Sequence, residues 1–419
     1  MKHSLRAFRY RNYRLFFSGQ LLSVIGTWIQ QLAMSWLVYR LTGSAWLLGV
    51  TAFAGQIAML ALAPFGGLWA DRVDRRKLLL ATQVLAMLQG LGLALLTYSG
   101  LVEVWHVIVM AALLGVVMAF DMPIRQSFTL EMVPAKEDLP SAIAFNGFMQ
   151  NTGRMVGPAI AGLLLHSSSE AFCFLLNGVS KIAVIAAIVA MNVHSRPRPT
   201  PSGIWASLRE GAVYAWRLAP ARWLLPVLAL VSFTITPYQA LMPIFAGEVF
   251  AGGADTLGFL MGAAGIGGVT GLLCLAARRR LPGLTRWIVA GGAVAGIAMI
   301  GFSYSPFLPL SLVLLAGVGF GMIVTAMSVS TILQTVAEDG KRGRVMGFYT
   351  MAFMGMQPLG SLAAGALATG IGARHTLALG GLCSLLCAYT LWRRLPALRL
   401  ELRPIYRALG IGVSDGRNP

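Results

Sequence analysis

Gly66-Gly67-Leu68-Trp69-Ala70-Asp71-Arg72-Val73-Asp74-Arg75-Arg76-Lys77 is a knot of charge between two long apolar runs. Two glycines lead in, the acid Asp71 stands where the first run stops, and a basic triplet opens the second. Charged residues make up 11% of the 419-residue chain, against roughly a quarter in a soluble protein. The hydrophobic fraction is 57% and the mean hydropathy +0.72. Most of this chain's surface therefore faces something other than water, and so polar a hinge marks a place where it leaves that medium.

Outward from the hinge, apolar runs recur at the length of about 20 residues that crosses a bilayer as helix. They cover 14–39, 46–70, 78–99, 104–123, 140–165, 171–192, 223–247, 255–277, 285–304, 307–329, 343–369 and 375–393. The expected fold is an all-α membrane protein with twelve transmembrane helices in two six-helix halves. Residues 1–193 form the N-terminal half, 194–222 a linker containing Arg196-Pro197-Arg198-Pro199, and 223–419 the C-terminal half with its tail. The first run is long and lacks a small-residue cleavage site, so it reads as a retained helix and not as a signal peptide.

A net charge of +18 would point to nucleic acid in a soluble chain. Here nearly all lysines and arginines fall on one side once the spans alternate: the N-terminus, the hinge, the linker, Arg278-Arg279-Arg280, Lys341-Arg342 with Arg344, and the tail. The positive-inside rule then puts both termini in the cytoplasm, with no nucleic-acid partner; the expected location is the plasma (inner) membrane. Arg40 and Arg374 fall on the opposite side, while Arg154 and Lys181 lie inside spans. In the linker, Trp205, Leu208, Ala212, Ala215 and Trp216 recur at helical spacing, as in an amphipathic helix on the membrane face.

Cys173, Cys274, Cys383 and Cys387 all sit in apolar runs and read as small apolar filler. No metal-ligand cluster, nucleophile–base pair or Walker phosphate loop occurs in the sequence. The expectation is a protein without metal or cofactor that is not an enzyme.

The halves carry a repeat. Arg75-Arg76-Lys77 and Arg278-Arg279-Arg280 lie 203 residues apart, and the same offset relates Gly157 to Gly360, Gly162 to Gly365, Ser127 to Ser330 and Phe145 to Phe348. Paired halves of this kind place a substrate site between them near the bilayer midplane.

Ala70-Asp71-Arg72-Val73-Asp74-Arg75-Arg76-Lys77 resembles the loop between the second and third helices of the major facilitator superfamily, in its enterobactin-exporter-like and drug-exporter branch. Leu41-Thr42-Gly43-Ser44, Phe120-Asp121-Met122-Pro123-Ile124-Arg125-Gln126, Arg342-Gly343-Arg344-Val345 and Pro358-Leu359-Gly360 extend the resemblance across both halves. It implies a gating group of Gly66, Gly67, Asp71, Arg72, Arg75 and Arg344, which bridges the halves when the cavity is closed to the cytoplasm. At a helix C-terminus the macrodipole disfavours an anion, so Asp71 must gain from such partners. The 203-residue offset puts Cys274 opposite Asp71, so the second copy keeps the basic triplet without the acid. Gating is therefore assigned to Asp71 and topology to the triplet.

Gly153-Arg154-Met155-Val156-Gly157-Pro158-Ala159-Ile160-Ala161-Gly162 is similar to the superfamily's antiporter signature, with Ala161 where a glycine is expected. Gly153, Gly157, Pro158 and Gly162 form this export motif, and ordinary small-residue packing explains them equally well. A charge at mid-membrane costs roughly 2.5–3.5 kcal/mol on insertion scales, so Arg154 should face a cavity or a partner. Asn146, Gln150 and Arg154 share one helix face. Gln20, Ser23, Thr27 and Gln31 make a second stripe, and Tyr238, Gln334, Gln357 and Asp121 complete the expected substrate or ion pathway. Lys181 is less decisive, since a lysine can reach toward the interface. The resemblance also implies proton antiport; the carrier stays open among Asp121, Asp71 and Glu131.

The sequence thus favours a monomeric secondary active exporter of amphipathic small molecules (drugs, siderophores or metabolites) working by alternating access in the lipid bilayer. The competing readings are a facilitator or importer, and a non-transporting receptor or assembly factor on the same scaffold.

Overall fold

The computed structural model describes residues 6–72, 74–191, 214, 216, 218–278, 283–338 and 341–408, with the side chains of 63–72, 130, 136, 219 and 408 outside the description. Among the described residues the chain is helix joined by short turns, without strands. The first six spans are Arg11–Thr42, Ala45–Arg72, Arg75–Tyr98, Val104–Met132, Leu139–Ser167 and Glu170–Ala190. The eighth, ninth and tenth are Ala254–Ala276, Leu284–Tyr304 and Leu308–Val336. Ten stretches are long and apolar enough to cross a membrane, the last of them, Arg342–Arg407, being 66 residues long. Gly372, at φ 83°, breaks that stretch into the eleventh and twelfth spans. The fifth span, 29 residues long, is the polar one that hydropathy alone leaves out.

Local chemistry sets the ends. The first span stops at Gly43, which takes a left-handed φ of 59° and donates its N–H to the Tyr39 carbonyl. Asp74 caps the third span, accepting from the backbone N–H of Arg76 at 2.9 Å and of Lys77 at 3.4 Å. Glu103 and His106 form a capping box on the fourth.

Two spans are irregular. The seventh runs Ala219–Ile235, breaks at Thr236-Pro237, and continues as Tyr238–Ile244 and a π turn, Phe245–Val249. The eleventh runs from Arg342–Thr350 into a π turn, Met351–Gly355, before the long helix resumes. Ser232 of the seventh span donates its hydroxyl to the Phe353 carbonyl, so a side chain from the neighbouring helix engages the loosened backbone.

The chain forms two compact units. One contains the described residues of Met1–Pro201 together with Ala240–Gly262; the other contains those of Ser202–Gln239 and Ala263–Pro419. In the first unit the second span packs on the fourth, the first on the fifth and sixth, and the third on the fourth and sixth. In the second unit the ninth packs on the tenth and twelfth, and the seventh on the twelfth. With little hydrophobic drive between helices in lipid, close approach of small residues does the work. A Cβ on Gly26 would stand 2.6 Å from Ser180 Oγ, and one on Gly157 2.5 Å from Trp28 Cβ. Gly360, the repeat partner of Gly157, meets the Phe233 carbonyl of the seventh span in the same way.

Of the linker, Tyr214 is described: its hydroxyl accepts from the Glu338 N–H at 3.2 Å, and Lys341 Nζ lies 4.6 Å from its ring centre. The other residues of the expected amphipathic helix, save the 68%-exposed Trp216, lie outside the described part.

Candidate functional site

The first unit carries its polar chemistry in three layers. Nearest the Thr42 end, Gln30 donates to Gln89 Oε1 at 2.8 Å and accepts from Asn177 Nδ2 at 2.7 Å, while Gln89 donates to the Met110 carbonyl at 3.1 Å. This amide ladder ties the first, third, fourth and sixth spans together.

The middle layer is charged. Lys181, on the sixth span, is 2% exposed and turns inward. Its ammonium donates to Ser23 Oγ at 2.7 Å, Thr27 Oγ1 at 2.8 Å and the Ser23 carbonyl at 3.4 Å. All three acceptors are neutral. Asp121, on the fourth span, is 1% exposed and accepts from Gln83 Nε2 at 2.6 Å and Thr82 Oγ1 at 3.1 Å, with Arg125 Nε at 3.7 Å. Asp121 and Arg125 are the charged groups that act on Lys181. Two acceptors in this layer, Gln20 Oε1 and Gln83 Oε1, are buried without a hydrogen-bond donor among the described residues. The layer thus holds a cation and an anion, both deeply buried, each satisfied mainly by neutral groups.

The third layer sits at the hinge. Arg75 Nη1 pairs with Glu131 Oε1 at 2.5 Å. Arg76 donates to the Ile188 carbonyl at 3.2 Å and the Val189 carbonyl at 2.8 Å, closing the C-terminal turn of the sixth span, where a cation suits the macrodipole. Arg75 and Arg76 therefore have local structural partners in addition to their place in the charge asymmetry. Nearby, Arg9 bridges to Asp138 at 2.7 Å and to the Tyr10 hydroxyl at 2.6 Å, a bond that with the Asp138 charge raises its already high pKa. Gly66, Gly67, Asp71 and Arg72 fall where side chains are not described, while Arg344 is half-buried at the start of the eleventh span.

The first-span stripe divides. Gln20 and Ser23 are buried at 3% and 1% exposure, Thr27 is half-buried, and Gln31 is exposed. On the fifth span, Asn146 accepts from the Tyr13 hydroxyl at 3.2 Å and donates to Thr129 Oγ1 at 3.1 Å, while Gln150 is exposed. Arg154 is half-buried, its guanidinium 5.9 Å from the Trp28 ring centre. No ion pair to it occurs among the described residues. Gly153 abuts Val24 and Gly157 abuts Trp28, which holds the fifth span hard against the first. Gly162 faces Ala254 and Gly258, and a Cβ on Gly258 would stand 2.7 Å from the Pro158 carbonyl. Each glycine of the motif is thus a point of helix contact. In the second unit Tyr238 is 2% exposed, Gln357 is half-buried, and the exposed Gln334 donates to Ser330 Oγ at 2.9 Å.

The residues that sequence reasoning passed over are Thr82, Gln83, Gln89 and Asn177. Their signal was present as isolated amides and hydroxyls within otherwise apolar spans. Each needs a buried partner there.

Against known proteins, the family described as transmembrane secretion effector matches residues 3–404. The staphyloferrin A transporter of Staphylococcus aureus is 26% identical over 392 residues, which are 93% of this chain and 98% of that protein. The multidrug efflux pump Tap of Mycobacterium tuberculosis is 29% identical over 405 residues, covering 92% of this chain and 93% of the pump. Among solved structures, a POT family transporter in complex with a thioalcohol-conjugated peptide superposes with a TM-score of 0.75 at 11% identity, over 93% of this chain and 96% of that one. The match over nearly the full length, with this helical architecture, makes the chain a multi-pass membrane protein of the transmembrane secretion effector family, within the major facilitator superfamily.

Proposed function

We propose that this protein exports amphipathic small molecules across the plasma membrane by alternating access, in exchange for protons, with both termini in the cytoplasm. The observation that carries the proton assignment is the middle layer of the first unit, where Asp121 lies buried 3.7 Å from Arg125 Nε and Lys181 lies buried on neutral acceptors. Intramembrane ionisable residues held this way are functional by default, since a packed scaffold gains nothing from desolvating them. Asp121 is the proton carrier, and Lys181 is the charge that feels its protonation state. Full-length similarity to a siderophore transporter and to a multidrug pump supports small-molecule export.

On this reading Arg154 over Trp28 offers substrate a cation and an aromatic face, with Gln31 and Gln150 as exposed amides. The other pathway residues named from sequence, Tyr238, Gln334 and Gln357, complete it from the second half. Gly66, Gly67, Asp71, Arg72, Arg75 and Arg344 make up the gating group that the resemblance implies. The functional halves are 1–193 and 223–419, tethered by 194–222, and the working unit is a monomer in the bilayer.

The test is the full chain reconstituted in vesicles carrying an imposed pH gradient and a lumenal pH dye, challenged with a panel of amphipathic dyes. Export by exchange predicts that a transported dye dissipates the gradient. Asp71→Asn should insert normally and slow transport at least about tenfold, and Arg154→Ala should weaken dye-dependent proton movement. Flux that ignores the gradient would make the protein a facilitator; no flux with any dye would favour a receptor or assembly factor.

A further inference from the structure

Within the second unit, the start of the ninth span and the end of the twelfth enclose a cavity of about 580 Å³. Arg286 contributes from the ninth span, and Arg393 and Arg399 from the twelfth; Val289, Ala290, Leu395 and Pro396 line its apolar part. No carboxylate is ion-paired with these three arginines among the described residues. The contacts of Arg393 are the Tyr389 hydroxyl at 3.3 Å and its ring at 5.9 Å. The charge of Arg286 acts on Arg399, and Arg393 lines the same wall, so like charges converge on one cleft. Such convergence is unfavourable unless an anion joins it.

What adjoins the cleft is apolar and uncovered. Along the ninth span Val294 is 39% exposed and Ile297 63%; along the twelfth, Leu386 is 55% and Leu382 48%. Trp392, 59% exposed, stands at the cleft itself, where an indole sits well between headgroup and hydrocarbon. A basic head end continued by two apolar tracks has the chemistry of a lipid turned inside out.

We propose that this cleft binds the phosphate headgroup of an anionic phospholipid, whose acyl chains lie along the exposed faces of the ninth and twelfth spans. Guanidinium groups match phosphate through paired N–H donors, and basic pockets between spans are suited to anionic headgroups. A soluble phosphate would satisfy the arginines equally but would leave the apolar tracks without a role.

The experiment is native mass spectrometry of the full chain in detergent, supplied with phosphatidylglycerol, cardiolipin or phosphatidylcholine, and separately with inorganic phosphate. The expected result is retention of the two anionic lipids over phosphatidylcholine. With roughly fivefold in affinity for each basic residue at a charged surface, Arg286→Gln combined with Arg399→Gln should lower that retention about 25-fold. The matching pair of lysine substitutions should keep most of it. Ala290→Trp, which fills the apolar part and leaves the arginines in place, should also lower it, and it carries the test if the glutamine variant fails to fold. Equal retention of anionic and zwitterionic lipid, or unchanged retention in the variants, would overturn the proposal. So would displacement of phosphatidylglycerol by millimolar inorganic phosphate, which would reassign the cleft to a soluble anion.

Discussion

The two units share a packing plan and differ in what they bury. Gly157 brings the fifth span against the first, and Gly360, 203 residues later, brings the eleventh against the seventh. At the same offset Lys181 is matched by Ser384, Asp121 by Val324 and Arg125 by Ser328. Ser384 is fully buried and donates to the Gly292 carbonyl at 2.9 Å, a local bond between neighbouring helices. Small residues at helix contacts are constrained by geometry, so both copies keep them. Buried charges are constrained by function, because in lipid they cost more than a serine or valine at the same place. On the proposed function, the proton chemistry belongs to the copy that keeps the ionisable residues.

The largest effect should therefore come from breaking this asymmetry. Asp121→Asn preserves shape and hydrogen bonding but fixes the charge at zero, and Lys181→Met removes the ammonium. Proton-transfer groups contribute about 10²–10⁴-fold, so either variant should lower transport in vesicles at least about 100-fold. Ser384→Ala should stay within about twofold. Stability should move the other way for the lysine: replacing a buried charge by a packed apolar side chain is often neutral or stabilising. Lys181→Met should hold or raise the thermal midpoint in detergent. A variant that unfolds, or a Ser384→Ala as damaging as Lys181→Met, would end the contrast between the units.

A second effect tests the likeness instead of the difference. Gly157→Leu drives a side chain into Trp28, and Gly360→Leu drives one into the Phe233 carbonyl. Overpacking costs about 1–3 kcal/mol, and both variants should lose folded protein on heating, read by size-exclusion after a temperature step. Gly347→Ala, with nothing within 4 Å of an added Cβ, is the control and should change little. Loss in one variant without the other would show that the duplicated glycine serves only one unit.

How much of this was legible follows from what sets each feature. Apart from the polar fifth, the spans were legible because length and hydropathy fix them. The break at Thr236-Pro237 and the π turn at Met351–Gly355 were not, because they depend on which neighbour supplies a group such as the Ser232 hydroxyl. The first-span stripe shows the limit well. Gln20, Ser23, Thr27 and Gln31 fall on one face by spacing, yet at about 100° per residue the edge of the core runs through that face. Ser23 turns toward Lys181 and Gln31 turns away, while the neighbouring Gln30 is buried at 0% exposure. Periodicity tells which residues share a side. It does not tell which helix that side will meet. Lys181 illustrates the same point, since reaching outward and turning inward are both open to a lysine until Ser23 and Thr27 are seen beside it.

The smallest effect concerns a pair that the first unit has and the repeat lacks. Arg40 Nε lies 2.7 Å from Glu170 Oε1, joining the end of the first span to the start of the sixth. The 203-residue offset sets Pro243 and Ala373 at the corresponding places, so the second sequence repeat has no such pair there. Arg40 is 54% exposed and Glu170 only 9%, so the interaction is screened on one side and desolvated on the other. An exposed ion pair contributes about 0–1 kcal/mol, and Glu170 also lies in the first turn of its helix, where the macrodipole supports it without Arg40. Arg40→Gln should thus lower the thermal midpoint by no more than a few degrees and leave transport near its original rate. Adding salt to the parent protein should reproduce part of that small loss. A loss of transport comparable to that of Asp121→Asn would mean that this pair takes part in the transport cycle, and the functional asymmetry between the units would then extend beyond the buried layer.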